Sequence, residues 1–77
     1  DKIKFLNIKN ELGLGYVIRD NITIFLNGNK SETLNVKLPP GKWLQVANGS
    51  KVDLRGFRIS EGYVKIQATS GSVYIRV

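Results

Sequence analysis

Residues 22–27 read Ile22-Thr23-Ile24-Phe25-Leu26-Asn27, and residues 34–38 read Leu34-Asn35-Val36-Lys37-Leu38. In the first run Ile22, Ile24 and Leu26 alternate with Thr23, Phe25 and Asn27. In the second, Leu34, Val36 and Leu38 alternate with Asn35 and Lys37. A period of two places successive side chains on opposite faces of an extended chain. Each run therefore has an aliphatic face and a polar or amphipathic one, the pattern of a half-buried antiparallel strand with its aliphatic side as the expected core side. The alternation returns in Val64, Ile66 and Ala68 against Tyr63, Lys65 and Gln67, and in Val73, Ile75 and Val77 against Ser72, Tyr74 and Arg76. Helical periodicity is nearly absent.

Turn chemistry separates the runs. Asp20-Asn21 suits a tight hairpin between Tyr16–Arg19 and Ile22–Leu26, and the loop 27–31 contains Gly28, which can take positive φ. Pro39-Pro40-Gly41 ends the next strand, because neither proline can donate to a ladder and Pro40-Gly41 fits the centre of a type II turn. Asn48-Gly49, Gly62 and Ser70-Gly71 mark the remaining turns. The spacing predicts one all-β domain over residues 1–77, a small antiparallel β-sandwich of about seven short strands, with closure into a barrel as the alternative. Only Lys2–Asn10 is ambiguous; Phe5, Leu6 and Ile8 fit a short strand or an entering arm.

Composition narrows the function. The chain has 77 residues, no Cys and no His, which removes disulfides, thiol chemistry, imidazole bases and the zinc sites built from those ligands. No cofactor or metal site is expected, and activity by this chain alone is not expected. No apolar run approaches the roughly 18 residues of a membrane-spanning helix, and no signal peptide is visible. The absence of Met, in a chain that opens in strand-like sequence, points to processing or to excision from something larger, and an excised domain is the expectation. The compartment is left open, with a secreted or cell-surface parent favoured over a cytoplasmic one. Lysine and arginine number 12 against 6 acids, a net charge of +6, yet the cations are scattered with no run of five. Dispersed cations on strands serve solubility and edge protection, whereas clusters mark polyanion sites.

Few residues suggest chemistry. Gly13-Leu14-Gly15 resembles part of a phosphate loop, but the strand-like Tyr16-Val17-Ile18 follows where a helix is required, so a turn or bulge is expected there. The acids Asp1, Glu11, Asp20, Glu32, Asp53 and Glu61 fall mostly in turns and strand ends, not in the paired arrangement acid–base catalysis needs. Asn21-Ile22-Thr23, Asn29-Lys30-Ser31 and Asn48-Gly49-Ser50 match the N-glycosylation sequon, a short pattern whose meaning depends on compartment. Trp43 is the single Trp and follows the proline turn; it either anchors the core or serves as a sugar-stacking platform. As candidate carbohydrate-binding residues the sequence offers Trp43, Tyr63 and Tyr74. A basic nucleic-acid-binding barrel is a further alternative, for which Tyr74/Arg76 and Tyr63/Lys65 are the nearest pairings of aromatic and cation on one strand.

Ile22–Lys30 followed by Val36-Lys37-Leu38-Pro39-Pro40-Gly41-Lys42-Trp43 resembles the C-terminal β-domain of pullulanases, the α-1,6-debranching members of the α-amylase superfamily. Those domains carry an apolar strand ending in Asn and a later strand ending Leu-Pro-x-Gly-x-Trp. Leu44–Gly49 is similar to the Val-rich strand and Asn/Asp-Gly turn that follow, Ser70 and Val73 fit the closing strand, and Phe5-Leu6 resembles the entry from the catalytic barrel. Ala68 stands where the family has Pro, and the Asp20-Asn21 loop is shorter than is usual. The resemblance implies a non-catalytic accessory domain of a starch- or pullulan-degrading glycoside hydrolase, packed on and supporting a (β/α)8 barrel. The family's catalytic carboxylates lie on that barrel, so no catalytic residue carries over. α-Glucan is the possible ligand; a nucleic-acid partner is not expected.

Overall fold

A computed structural model describes residues 2–8 and 10–77; Asp1 and Lys9, counted above among the acids and cations, lie outside the described residues. The strands are β1 (Ile3–Phe5), β2 (Gly13–Ile18), β3 (Ile22–Asn27), β4 (Leu34–Lys37), β5 (Trp43–Asn48), β6 (Lys51–Val52), β7 (Arg58–Ser60), β8 (Tyr63–Ile66) and β9 (Ser70–Arg76). All pairings among them are antiparallel. The expected all-β sandwich forms; the turn at Asn48-Gly49 joins β5 to the two-residue β6, and the short β1 and β7 bring the strands to nine among the described residues. The ambiguous 2–10 stretch supplies β1, after which Leu6 and Ile8 fold against the core.

The two layers are unequal. One sheet runs β1-β2-β3-β9-β5, with β6 and β7 both on the far side of β5; the other is the ribbon β4-β8. β1, β2 and β3 form a meander, β4 crosses to the ribbon, and β5 returns two places beyond β3. β9 then fills the gap between β3 and β5. The shortest dimension of the molecule, 19 Å, is what two layers roughly 10 Å apart need once outward side chains are added.

The core lies between the layers: Phe25, Leu34, Val36, Leu38, Trp43, Val64, Ile66 and Tyr74. In β4 and β8 the aliphatic residues face inward as the alternation predicts. In β3 and β9 the expectation is reversed. Thr23, Phe25 and Asn27 are buried while Leu26 is exposed, and Ser72 and Tyr74 are buried while Ile75 is exposed. Two rings decide this: Phe25 and Tyr74 meet edge to face at 6.1 Å, and each aromatic removes more apolar area from water than an aliphatic neighbour.

Both ends of the sandwich are tied by polar side chains. At one end Asn27 Nδ2 donates to the carbonyls of Glu32 (2.8 Å) and Ile66 (2.9 Å), joining the large sheet to the ribbon. Its Oδ1 accepts from the backbone N–H (3.0 Å) and side-chain amide (2.7 Å) of Asn29. At the other end Trp43 Nε1 donates to the Pro39 carbonyl at 2.9 Å, and the Arg76 guanidinium lies 4.3 Å from the Trp43 ring centre. Arg76 also donates to the Pro40 carbonyl (2.8 Å) and the Asp20 carbonyl (2.7 Å). Gly41, at φ +114°, holds a backbone conformation that other residues adopt only with strain, and the Arg76 guanidinium packs beside it.

Two turn expectations shift. Gly13 and Gly15 lie inside β2, not in a turn or bulge; a Cβ on Gly15 would meet Ile8 at 2.7 Å and Phe25 at 2.8 Å, so glycine there makes room for core side chains. Ser70-Gly71 belongs to β9, and the reversal before it uses Thr69 at φ 56°.

Candidate interaction surface

The register assigns every residue of the large sheet to a face. Ile18, Ile22 and Ile75 lie in one cross-strand row with Leu44 and Ile59, and Phe5, Tyr16, Ile24 and Val73 lie in another. Leu14 pairs with Leu26, and Ala47 with Val52. These rows form the face turned away from the ribbon, and none of their strand residues is charged. The charged residues of these strands, Lys4, Lys51, Arg58 and Arg76, occupy the opposite parity, in register with Val17, Asn48, Gln45 and Trp43. A β-bulge between Gln45 and Ala47 returns β5 to this register.

Much of this face is accessible: Phe5 is 72% exposed, Ile59 56% and Leu26 44%. Phe5 and Tyr16 pack as a tilted pair at 5.9 Å, a ready-made aromatic corner at the β1 edge. Antiparallel sheets ordinarily turn a polar face to water. Six strand columns about 4.8 Å apart and roughly 15 Å long give a face on the order of 400 Å², the scale at which exposed apolar patches mark interaction sites.

The chain matches no protein-family model, no curated protein and no solved structure.

The aromatic candidates separate. Trp43 and Tyr74 are buried, at 0% and 1% exposure, so neither presents a ring face to a sugar; both are core residues. Burial also pushes the Tyr74 phenol above its ordinary pKa. Tyr63 alone of the three is on the surface, 66% exposed on the ribbon's outer side. The pairing of Tyr74 with Arg76 likewise fails as a nucleic-acid strip, because Arg76 is spent on Trp43 and the two turn carbonyls. Among the described residues no three acids converge on a point that could hold a metal ion.

The residues carrying the pullulanase resemblance have structural work here. Asn27 ties the sheets, and Leu38, Pro39, Gly41 and Trp43 build the closed end. Of the sequons, Asn21 and Asn48 are exposed, while the Asn29 amide is engaged with Asn27. The apolar face is what sequence reasoning missed. A signal was present: β3 is apolar on both sides once Phe25 is counted with the core, the mark of a strand covered on both faces.

Proposed function

We propose that this chain is a non-catalytic accessory domain that docks through the outer face of its large sheet onto another folded unit. Following the resemblance, that unit is the (β/α)8 catalytic barrel of a starch- or pullulan-degrading glycoside hydrolase. The observation that carries the reading is the uncharged face formed by β1, β2, β3, β9, β5 and the two short strands. A flat apolar sheet gains most from covering by a second apolar surface, and intramolecular domain contacts of this size are ordinary. The dispersed acids agree with a supporting rather than a catalytic role.

The test mixes the chain with a pullulanase-type barrel prepared without its terminal domain. The expected outcome is a complex on size-exclusion chromatography and a raised melting temperature of the barrel, both lost in the double variant Leu26→Lys, Ile75→Lys. Failure to form a complex overturns the proposal. Release of reducing sugar from pullulan by the chain alone, abolished by a point change in it, overturns the non-catalytic reading.

A further inference from the structure

The ribbon presents a different surface on the opposite side of the molecule. Because β4 and β8 turn Leu34, Val36, Val64 and Ile66 inward, their alternate residues Asn35, Lys37, Tyr63 and Lys65 face solvent. The register sets Lys37 directly opposite Tyr63 and Asn35 directly opposite Lys65, a separation of about 5 Å. Two shallow hollows flank this strip. Arg58 and Lys65 line one and Lys37 the other, and Asn35 and Tyr63 line both. Both hollows border Asn35 and the exposed Tyr63 ring, so an extended ligand reaching from one to the other, along the groove they outline, crosses that ring.

Charge along the groove is unbalanced. Lys37, Arg58 and Lys65 take part in neither of the ion pairs among the described residues, which are Arg55–Asp53 and Arg76–Asp20. Glu61 is the one acid on the groove's walls.

We infer that this groove binds an acidic oligosaccharide, a run of hexopyranose units carrying carboxylate or sulfate groups. The apolar face of one sugar stacks on Tyr63, Asn35 hydrogen-bonds its hydroxyls, and the cations on either side pair with the acidic groups of neighbouring units. A single-stranded nucleic acid is the poorer fit, since it needs a succession of aromatic platforms and this face has one. A neutral glucan would stack on Tyr63 but leave three cations without a role. The site borders the docking face at Ile59 of β7, but it does not rest on the docking proposal, because Asn35, Lys37, Tyr63 and Lys65 lie on the ribbon and Arg58 has the opposite parity to the docking rows.

Calorimetric titration of the chain with hexameric oligogalacturonate and with a sulfated dextran hexamer tests the inference, against maltohexaose and a thymidine decamer, at about 20 mM and about 150 mM salt. At least one acidic oligosaccharide should bind more tightly than either control, with affinity falling as salt rises. The preferred one identifies the acidic group. Tyr63→Ala should weaken binding by about tenfold or more, the scale of one lost stacking contact. Its melting temperature should be unchanged, because the ring is exposed. Lys37→Gln and Lys65→Gln should each flatten the salt dependence. The inference fails if neither acidic oligomer binds, if maltohexaose or the decamer binds as tightly, or if Tyr63→Ala binds like the parent. Any of these results leaves the docking proposal standing.

Discussion

Trp43 shows how much a single side chain carries in a chain of this size. Its ring has 0% exposure, its Nε1 is bonded to the Pro39 carbonyl, and Arg76 lies over its face. Trp43→Ala should cost roughly 3–5 kcal/mol, the range for truncating a buried aromatic. In a domain of this size a single core rarely supplies more than about 3–5 kcal/mol in total. The variant should therefore be largely unfolded by far-UV circular dichroism at room temperature; a cooperative melt near that of the parent would contradict the role assigned to Trp43. Tyr74 gives a pH-dependent counterpart. Burial raises its pKa above 10.0, so the folded state holds the phenolic proton more tightly than the unfolded state. That contribution is fully present below the unfolded value and is lost as pH rises through the folded one. Alkaline denaturation beginning above pH 10.0 should be attenuated in Tyr74→Phe. At neutral pH the same variant should lose about 1 kcal/mol, because the buried Gln45 amide, 3.4 Å from the hydroxyl, is left without that acceptor. An unchanged alkaline midpoint in chemical-denaturation curves would count against this assignment.

At the scale of elements, the β2–β3 hairpin stores a correctable strain. Asn21 N–H bonds the Ile18 carbonyl at 3.0 Å, and the two central residues, Arg19 and Asp20, have φ of 50° and 61°. Such a turn favours Asn or Asp followed by Gly, and Arg at its first central position is unfavourable. Asp20 is kept, because its carboxylate pairs with Arg76 at 3.2 Å. Arg19→Asn should raise stability by about 0.5–1 kcal/mol, seen as an increase of a few degrees in melting temperature. A drop would mean that the Arg19 side chain matters in a way its backbone geometry does not reveal. The hairpin was legible in the sequence to within a residue. Its strained pair was not, because Asp20-Asn21 reads as the better turn dipeptide and only the register Ile18↔Ile22 moves the positive φ back to Arg19.

For the whole molecule the decisive feature is segregation. The net charge of +6 reads as dispersed along the chain, yet among the described strand residues of the large sheet no charged side chain falls on the outer face. The free chain should therefore self-associate and bind an apolar dye through that face. Leu26→Lys and Ile75→Lys should suppress both while shifting stability by no more than about 0.5–1 kcal/mol, as exposed substitutions do. Sedimentation velocity and thermal melts check the two halves separately. If either variant unfolds the chain, the face is part of the molecule's own packing and not a contact surface. Topology has a kinetic side as well: β9 enters between β3 and β5 from far along the chain, the non-local pairing that makes all-β domains slow to fold.

The sequence by itself determined the local terms. Alternation fixed extended structure, the proline turn and Asn48-Gly49 fixed two reversals, and the inward sides of β4 and β8 follow directly from Leu34, Val36, Val64 and Ile66. Period two says that a strand has two faces, but not which one wins when both are apolar. That choice for β3 and β9 was decided only in the tertiary structure, where the ribbon covers one side of the large sheet. The side carrying Phe25 and Tyr74 buries more area there than Ile24 and Ile75 could. The same decision took Trp43 and Tyr74 inside, left Tyr63 in the ribbon's groove, and turned a row of aliphatic residues outward. Both candidate surfaces follow from which side of a sheet the core occupies, a relation between layers that no single strand encodes.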